Sequence, residues 1–158
     1  MDSIRIWIEK YGTIICAGSV FLICMIIILL IRKENSEYYK KHAPELHKIQ
    51  EKLTTMIPYF TPDQQRRLKK LKIRPDIKSY TVNKHDMHLC LEDDNGSYYD
   101  DNLLIYVTLH ELAHIFCDEI GHTKNFYKIF DKLTDIAEKV KIYDSSIALP
   151  KEYCGITI

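Results

Sequence analysis

The sequence predicts an α+β protein: an N-terminal apolar helix, then a small domain in which helices accompany a small antiparallel sheet. Three observations predict it. From Gly12 to Ile31, 20 consecutive residues carry no charge. Four later stretches repeat apolar residues at helical spacing. Between the second and third of these the pattern shortens to β-compatible runs separated by turn residues.

Composition narrows the possibilities first. A chain of 158 residues with 46% apolar residues and only 5 Gly and 5 Pro has room for one ordinary domain and is not a disordered chain. Basic and acidic residues balance at 22 each, so the basic surplus of a duplex-binding protein is absent and no nucleic acid partner is expected. The balance is uneven along the chain. Residues 1–33 carry a surplus of two positive charges, which leaves 18 basic and 20 acidic residues for the remainder.

The run from Gly12 to Ile31 would span about 30 Å as a helix, the thickness of one bilayer core. It exceeds the apolar region of a signal peptide, no small-x-small cleavage site follows it, and Arg32 and Lys33 close it. Ile4, Trp7, Ile8 and Tyr11 precede it at helical spacing, with Trp7 and Tyr11 suited to the headgroup belt. The expectation is a single-pass membrane anchor. Arg5 and Lys10 lie before the span and Arg32, Lys33, Lys40, Lys41 and Lys48 after it. The positive-inside rule therefore predicts an outer N-terminus and a cytosolic domain. Cys90, Cys117 and Cys154 are an odd number without framework spacing, which reads as reduced thiols. The expected organisation is an anchor over 1–33, a juxtamembrane linker or helical extension over 34–43, and a domain over 44–158.

Within the domain, Pro44 is placed to start a short helix carrying Leu46, Ile49, Leu53 and Met56 and ending before Pro58. Thr61-Pro62-Asp63-Gln64 is a capping-box signal for a second helix to about Leu71. Ser79–Val82 and Met87–Leu91 predict two strands, and Asp93-Asp94-Asn95-Gly96 a turn before Tyr98-Tyr99. Asp100, Asp101 and Asn102 then cap a long helix through about Cys117. A last helix is expected over Lys124–Ile142, with Phe126, Ile129, Phe130, Leu133, Ile136, Ala137 and Val140 on one face.

The chemistry lies in the first long helix. His110-Glu111-Leu112-Ala113-His114 is an H-E-x-x-H motif: residues four apart lie one turn apart on the same face, so two imidazoles can converge on one Zn²⁺ with Glu111 beside them. Ile105, Leu109, Leu112, Ala113 and Phe116 fall on an arc away from both histidines, so the helix can bury one face and present the other. A catalytic zinc wants a third protein ligand. His122, after Gly121 on the loop leaving this helix, is the expected one; Asp135 and Glu138, on the last helix, compete for the position.

His110 to His114, the run Gly121-His122-Thr123-Lys124-Asn125-Phe126 and the flanking helices resemble the WLM and SprT-like zinc metallopeptidases. The similarity extends to short WLM-type proteins of large DNA viruses through Tyr98-Tyr99 and Tyr153-Cys154-Gly155-Ile156. It covers about Met87 to Ile158. The resemblance implies a zincin-like domain with zinc on His110, His114 and His122, Glu111 as general base and Phe126 packed behind the site. Many cellular members have a shorter loop and an Asp where this chain has Thr123. Cellular relatives cleave DNA-crosslinked proteins, a substrate ill-suited to a membrane anchor, so the reaction class carries over and the substrate does not.

The expected function is thus a membrane-anchored zinc metalloendopeptidase acting on a protein or peptide. The alternative is an inactive membrane-anchored structural or adaptor protein of the same fold. Tyr98, Tyr99 and Tyr143 are candidates to stabilise an oxyanion. Met87–Leu91 is either an edge strand that pairs with substrate or an internal strand. The cations Arg66, Arg67, Lys69, Lys70, Lys72 and Arg74 read as a solvated face, and His85 and His88 as surface residues.

Overall fold

A computed structural model describes residues 2–157, and the side chains of residues 10–11 and 16–156. The expectations for Ile4, Arg5, Trp7 and Ile8 concern side chains outside the described residues. The described residues form an α+β structure: α1 (Asp2–Thr54), a 3₁₀ turn (Ile57–Tyr59), α2 (Pro62–Lys70), β1 (Lys72–Pro75), β2 (Tyr80–Val82), β3 (Asp86–Leu89), α3 (Asp101–Phe116), α4 (Lys124–Lys139), β4 (Glu152–Tyr153) and β5 (Ile156–Thr157). They fall into two compact units, divided between Lys40 and Lys41.

The first unit is helical and belongs to α1. Its residues 16–31 are exposed throughout, Phe21 at 69%. The helix is long and apolar enough to cross a membrane. Residues 34–43 stay helical, and Lys33 pairs with Glu37 one turn on at 3.8 Å.

In the second unit, Pro44 does not start a helix but lies inside one. Proline removes the hydrogen bond to the carbonyl of Lys40, and that loss is offset because the buried stripe begins before it. His42, Leu46, Ile49, Leu53 and Met56 follow one face, each at most 3% exposed. The His42 ring meets Tyr98 edge-on at 5.7 Å, an anchor one half-turn before the proline. Lys48 and Lys52 both bond Asp101 at the start of α3, the latter at 2.7 Å.

Helix α2 starts as its capping box requires. Thr61 Oγ1 accepts from the Gln64 amide at 3.3 Å, and Gln64 Oε1 accepts from the Thr61 amide at 2.9 Å. The sheet departs from expectation, since it is mixed rather than antiparallel. Its order is β1-β3-β2, with β1 parallel and β2 antiparallel to β3. Strand β1 falls within the cationic run: Lys72 and Arg74 point outward while Ile73 alternates into the core at 5% exposure. β3 is therefore internal, which removes Met87–Leu91 as a substrate-pairing edge. Tyr98 makes only an isolated bridge with Glu92.

Helix α3 runs through the middle of the core. Leu104, Ile105, Leu109, Leu112, Ala113 and Ile115 are each at most 2% exposed. Helix α4 covers it with Phe126, Phe130, Leu133, Ile136 and Ala137, and ends earlier than Ile142 because Lys141 turns left-handed at φ +61°.

The C-terminal hairpin β4–β5 turns through Cys154 and Gly155, at φ +48° and +74°, the paired left-handed conformation that matches strand twist. Cys154 is bonded to Cys90, next to the end of β3, which corrects the expectation of reduced thiols. The odd cysteine is Cys117, buried and free. Tyr153, 1% exposed, seats the hairpin: its hydroxyl donates to the Cys90 carbonyl at 2.5 Å and lies 2.7 Å from Ser79 Oγ. Disulfides persist in oxidising compartments, so this bridge opposes the cytosolic placement that the flanking cations predict.

Candidate metal centre

Asp100 caps α3 by accepting from the Asn102 amide at 2.7 Å, and the apolar arc described above fixes the helix rotation. His110 and His114 then project from its opposite side, half-buried, with ring centroids 5.1 Å apart. Beyond α3 the chain makes an exposed loop, turns at Gly121 (φ +81°) and returns His122 to the same place. Its ring lies 4.9 Å from each of the other two. One ligand atom from each histidine lies within 4.8 Å of the others. His122 Nε2 is 2.9 Å from His110 Nε2.

Phe126, fully buried on α4, supports all three rings at 5.0, 4.4 and 4.7 Å from His110, His114 and His122. Thr123 caps α4 by accepting from the Phe126 amide, which ties this aromatic to the His122 loop. Asp135 and Glu138 are exposed and stand apart from the cluster; Glu138 Oε1 accepts from the Ser145 amide instead.

Burial pushes His110 and His114 down to about 4, and the neighbouring imidazoles add to the shift. Both are neutral at pH 7, the form that binds a metal. Glu111 is 6% exposed, and burial pushes its carboxyl up to about 7, against the pull of a hydrogen bond from Thr81 Oγ1 to its Oε2 at 2.8 Å.

These residues face a cavity of about 910 Å³. Its walls bring Tyr80 and Thr81 from β2, Tyr106 from α3, Tyr127 and Phe130 from α4, and Tyr153 from the C-terminal hairpin. Tyr98, Tyr99 and Tyr143, the sequence candidates for an oxyanion partner, do not line it. Tyr98 lies against His42, Tyr99 accepts from the Cys154 amide, and Tyr143 packs on Tyr106. Tyr106 was findable, since it precedes His110 by one turn on the same face. Thr81 and Lys84 carried no local signal; the sheet brings them in.

The donor set fits zinc. Tetrahedral coordination at 2.0–2.1 Å sets ligand nitrogens about 3.3 Å apart, between the 2.9 Å of the His110–His122 pair and the 4.8 Å that bounds the cluster. Three imidazoles suit zinc and other imidazole-seeking metals rather than calcium or magnesium, which take oxygen.

The fold and site thus define a small α+β protein with an apolar helix and a three-histidine cluster in a cleft. The chain is similar to the uncharacterized protein 136R of Invertebrate iridescent virus 6, 38% identical over 114 residues, which is 70% of this chain and 63% of that protein. It is also similar to the uncharacterized protein 042R of Invertebrate iridescent virus 3, 47% identical over 87 residues (54% of this chain, 55% of that one). A third relative is the uncharacterized protein R325 of Acanthamoeba polyphaga mimivirus, 43% identical over 116 residues (68% of this chain, 58% of that one). The chain spans 55% to 63% of the length of these relatives. No family model matches it. No solved structure matches it either.

Proposed function

We propose that the protein is a membrane-anchored, zinc-dependent endopeptidase of the WLM and SprT-like kind, with a zincin-like domain following its apolar helix. The observation that carries this reading is the convergence of His110, His114 and His122 beside a buried Glu111 in one cleft. The three histidines would hold the metal. Zinc, when bound, supplies a Lewis acid that lowers the pKa of a water and polarises a peptide carbonyl.

Glu111 takes the proton that the attacking water gives up as its oxygen bonds to the carbonyl carbon. It then delivers that proton to the amine nitrogen as the C–N bond breaks. A carboxyl near pKa 7 is suited to both transfers. Strand β2 is an edge of the sheet and lines the cleft, so an extended protein or peptide substrate would pair there rather than on β3. The exposed apolar surface of residues 16–31 supports the anchor.

The full-length chain in detergent tests the reading. It should hold about one zinc by elemental analysis and cleave an unfolded protein, while Glu111→Gln keeps the metal and loses about 10²- to 10⁴-fold in kcat/KM, the usual share of a general base. Absence of zinc would sink the metal centre, and undiminished cleavage by the variant would remove Glu111 from its role.

A further inference from the structure

The third histidine sits on an exposed loop. Residues 118–122 are all exposed, Ile120 at 93%, and the nearest buried side chains are Cys117 before the loop and Phe126 after it. A ligand on such a segment needs positioning from elsewhere, because disorder in one of three ligands costs metal affinity directly.

Lys84 supplies it. It occupies the turn between β2 and β3, where Asn83 and Lys84 take φ +52° and +58°, a left-handed pair that aims the lysine side chain across the sheet end toward α3. Its Nζ donates to three carbonyl oxygens: His114 at 2.8 Å, Cys117 at 2.7 Å and Glu119 at 2.9 Å. All three ammonium donors are thereby used. The first two acceptors belong to the C-terminal end of α3, where carbonyls lack intrahelical partners and the helix dipole is negative. The third lies in the loop itself, three residues before His122.

One side chain therefore ties the backbone of a helical ligand to the loop that returns the other. Arg67 donates to the Ile115 carbonyl at 3.1 Å and pairs with Asp118 at 2.8 Å, so the helix end is held without Lys84, whereas the Glu119 carbonyl, one residue beyond Asp118, is held by Lys84. We propose that Lys84 is a positioning residue for the metal centre, acting through His122 by fixing the 117–122 loop to the end of α3. The inference rests on the three-histidine reading above.

Zinc affinity of the full-length chain in detergent, measured by competition with a chromophoric chelator, tests it without reference to catalysis. Lys84→Met should weaken binding about 10- to 100-fold, the usual effect of removing an outer partner of a ligand. Lys84→Arg, which keeps the donors, should recover most of that loss. In a His122→Ala background Lys84→Met should change affinity by no more than about twofold, because the ligand it positions is gone. Equal weakening in both backgrounds would assign Lys84 to general stability and overturn the proposal, as would unchanged affinity in Lys84→Met when His122→Ala binds weakly. A wild-type chain without zinc, or His122→Ala with full affinity, would instead overturn the three-histidine reading and the proposal with it. Unfolding of each metal-free variant establishes that it is folded; if Lys84→Met is not, Lys84→Gln carries the same comparison.

Discussion

The Thr81 hydroxyl donates to Glu111 Oε2 at 2.8 Å and lies 3.3 Å from the same residue's carbonyl oxygen. A side chain of the edge strand thus holds the carboxylate proposed to move protons, and does so from the strand proposed to receive substrate. Glu111 is buried on the cleft side of α3, and among the described residues Thr81 is the side chain that donates to its carboxylate.

Removing that hydroxyl should therefore act on turnover. Hydrogen bonds to charged groups are worth about 1.5–3 kcal/mol, so Thr81→Val should lower kcat about 10- to 100-fold. KM should change little, since substrate pairing on β2 uses the backbone. Steady-state kinetics on an unfolded protein substrate would check this; a rise in KM at constant kcat would mean that Thr81 serves binding instead.

How much of this was legible in the sequence follows from which contacts are local. The capping box of α2, the cap of α3 and the i, i+4 pairing of His110 and His114 are written within five residues each, and the structure places them as read. His122 was legible because a short loop and a glycine limit where it can go. Strand β1 was not, because its partner β3 lies 14 residues on and its Lys72 and Arg74 drew attention to charge rather than to the alternation around Ile73. Pro44 misled because a proline that starts one helix and a proline tolerated inside a longer one have the same neighbours, and only the burial of His42 separates them. Cys90 and Cys154 are 64 residues apart, and spacing alone cannot pair two of three cysteines.

Asp101 predicts an acid limb of stability. Burial pushes its carboxyl up, but hydrogen bonds from Lys48 and Lys52 pull harder, and the group ends below its ordinary value. A depressed carboxylate contributes stability above its unfolded pKa, about 3.9, and loses it as pH falls through the lower folded value. The side chain is 40% exposed, so solvent screening keeps the contribution modest. Denaturant midpoints of the full-length chain between neutral and strongly acidic pH should fall for the wild type, and Asp101→Asn should start lower and fall less. Parallel curves would show that the pair contributes nothing.

The disulfide carries the largest expected effect on stability. Cys90 follows the central strand and Cys154 sits in the turn of the C-terminal hairpin, so the bridge closes 64 residues of chain that include α3 and α4. In the chain-entropy view a loop of that size restricts the unfolded state by about 4 kcal/mol. The hairpin otherwise depends on Tyr153, whose hydroxyl reaches the Cys90 carbonyl and Ser79, and on the Tyr99 contact at 4.9 Å between rings. Cys154→Ser, or reductant added to the wild type, should lower unfolding stability by about 3–4 kcal/mol. Because Tyr153 and Ile156 also wall the cleft, the loosened hairpin should raise KM as well. Denaturant titrations with and without reductant, run beside thiol counting under denaturing conditions, would check both parts. Three reactive thiols in the unreduced chain, from Cys16, Cys24 and Cys117, are expected, and five would mean that the bridge does not form.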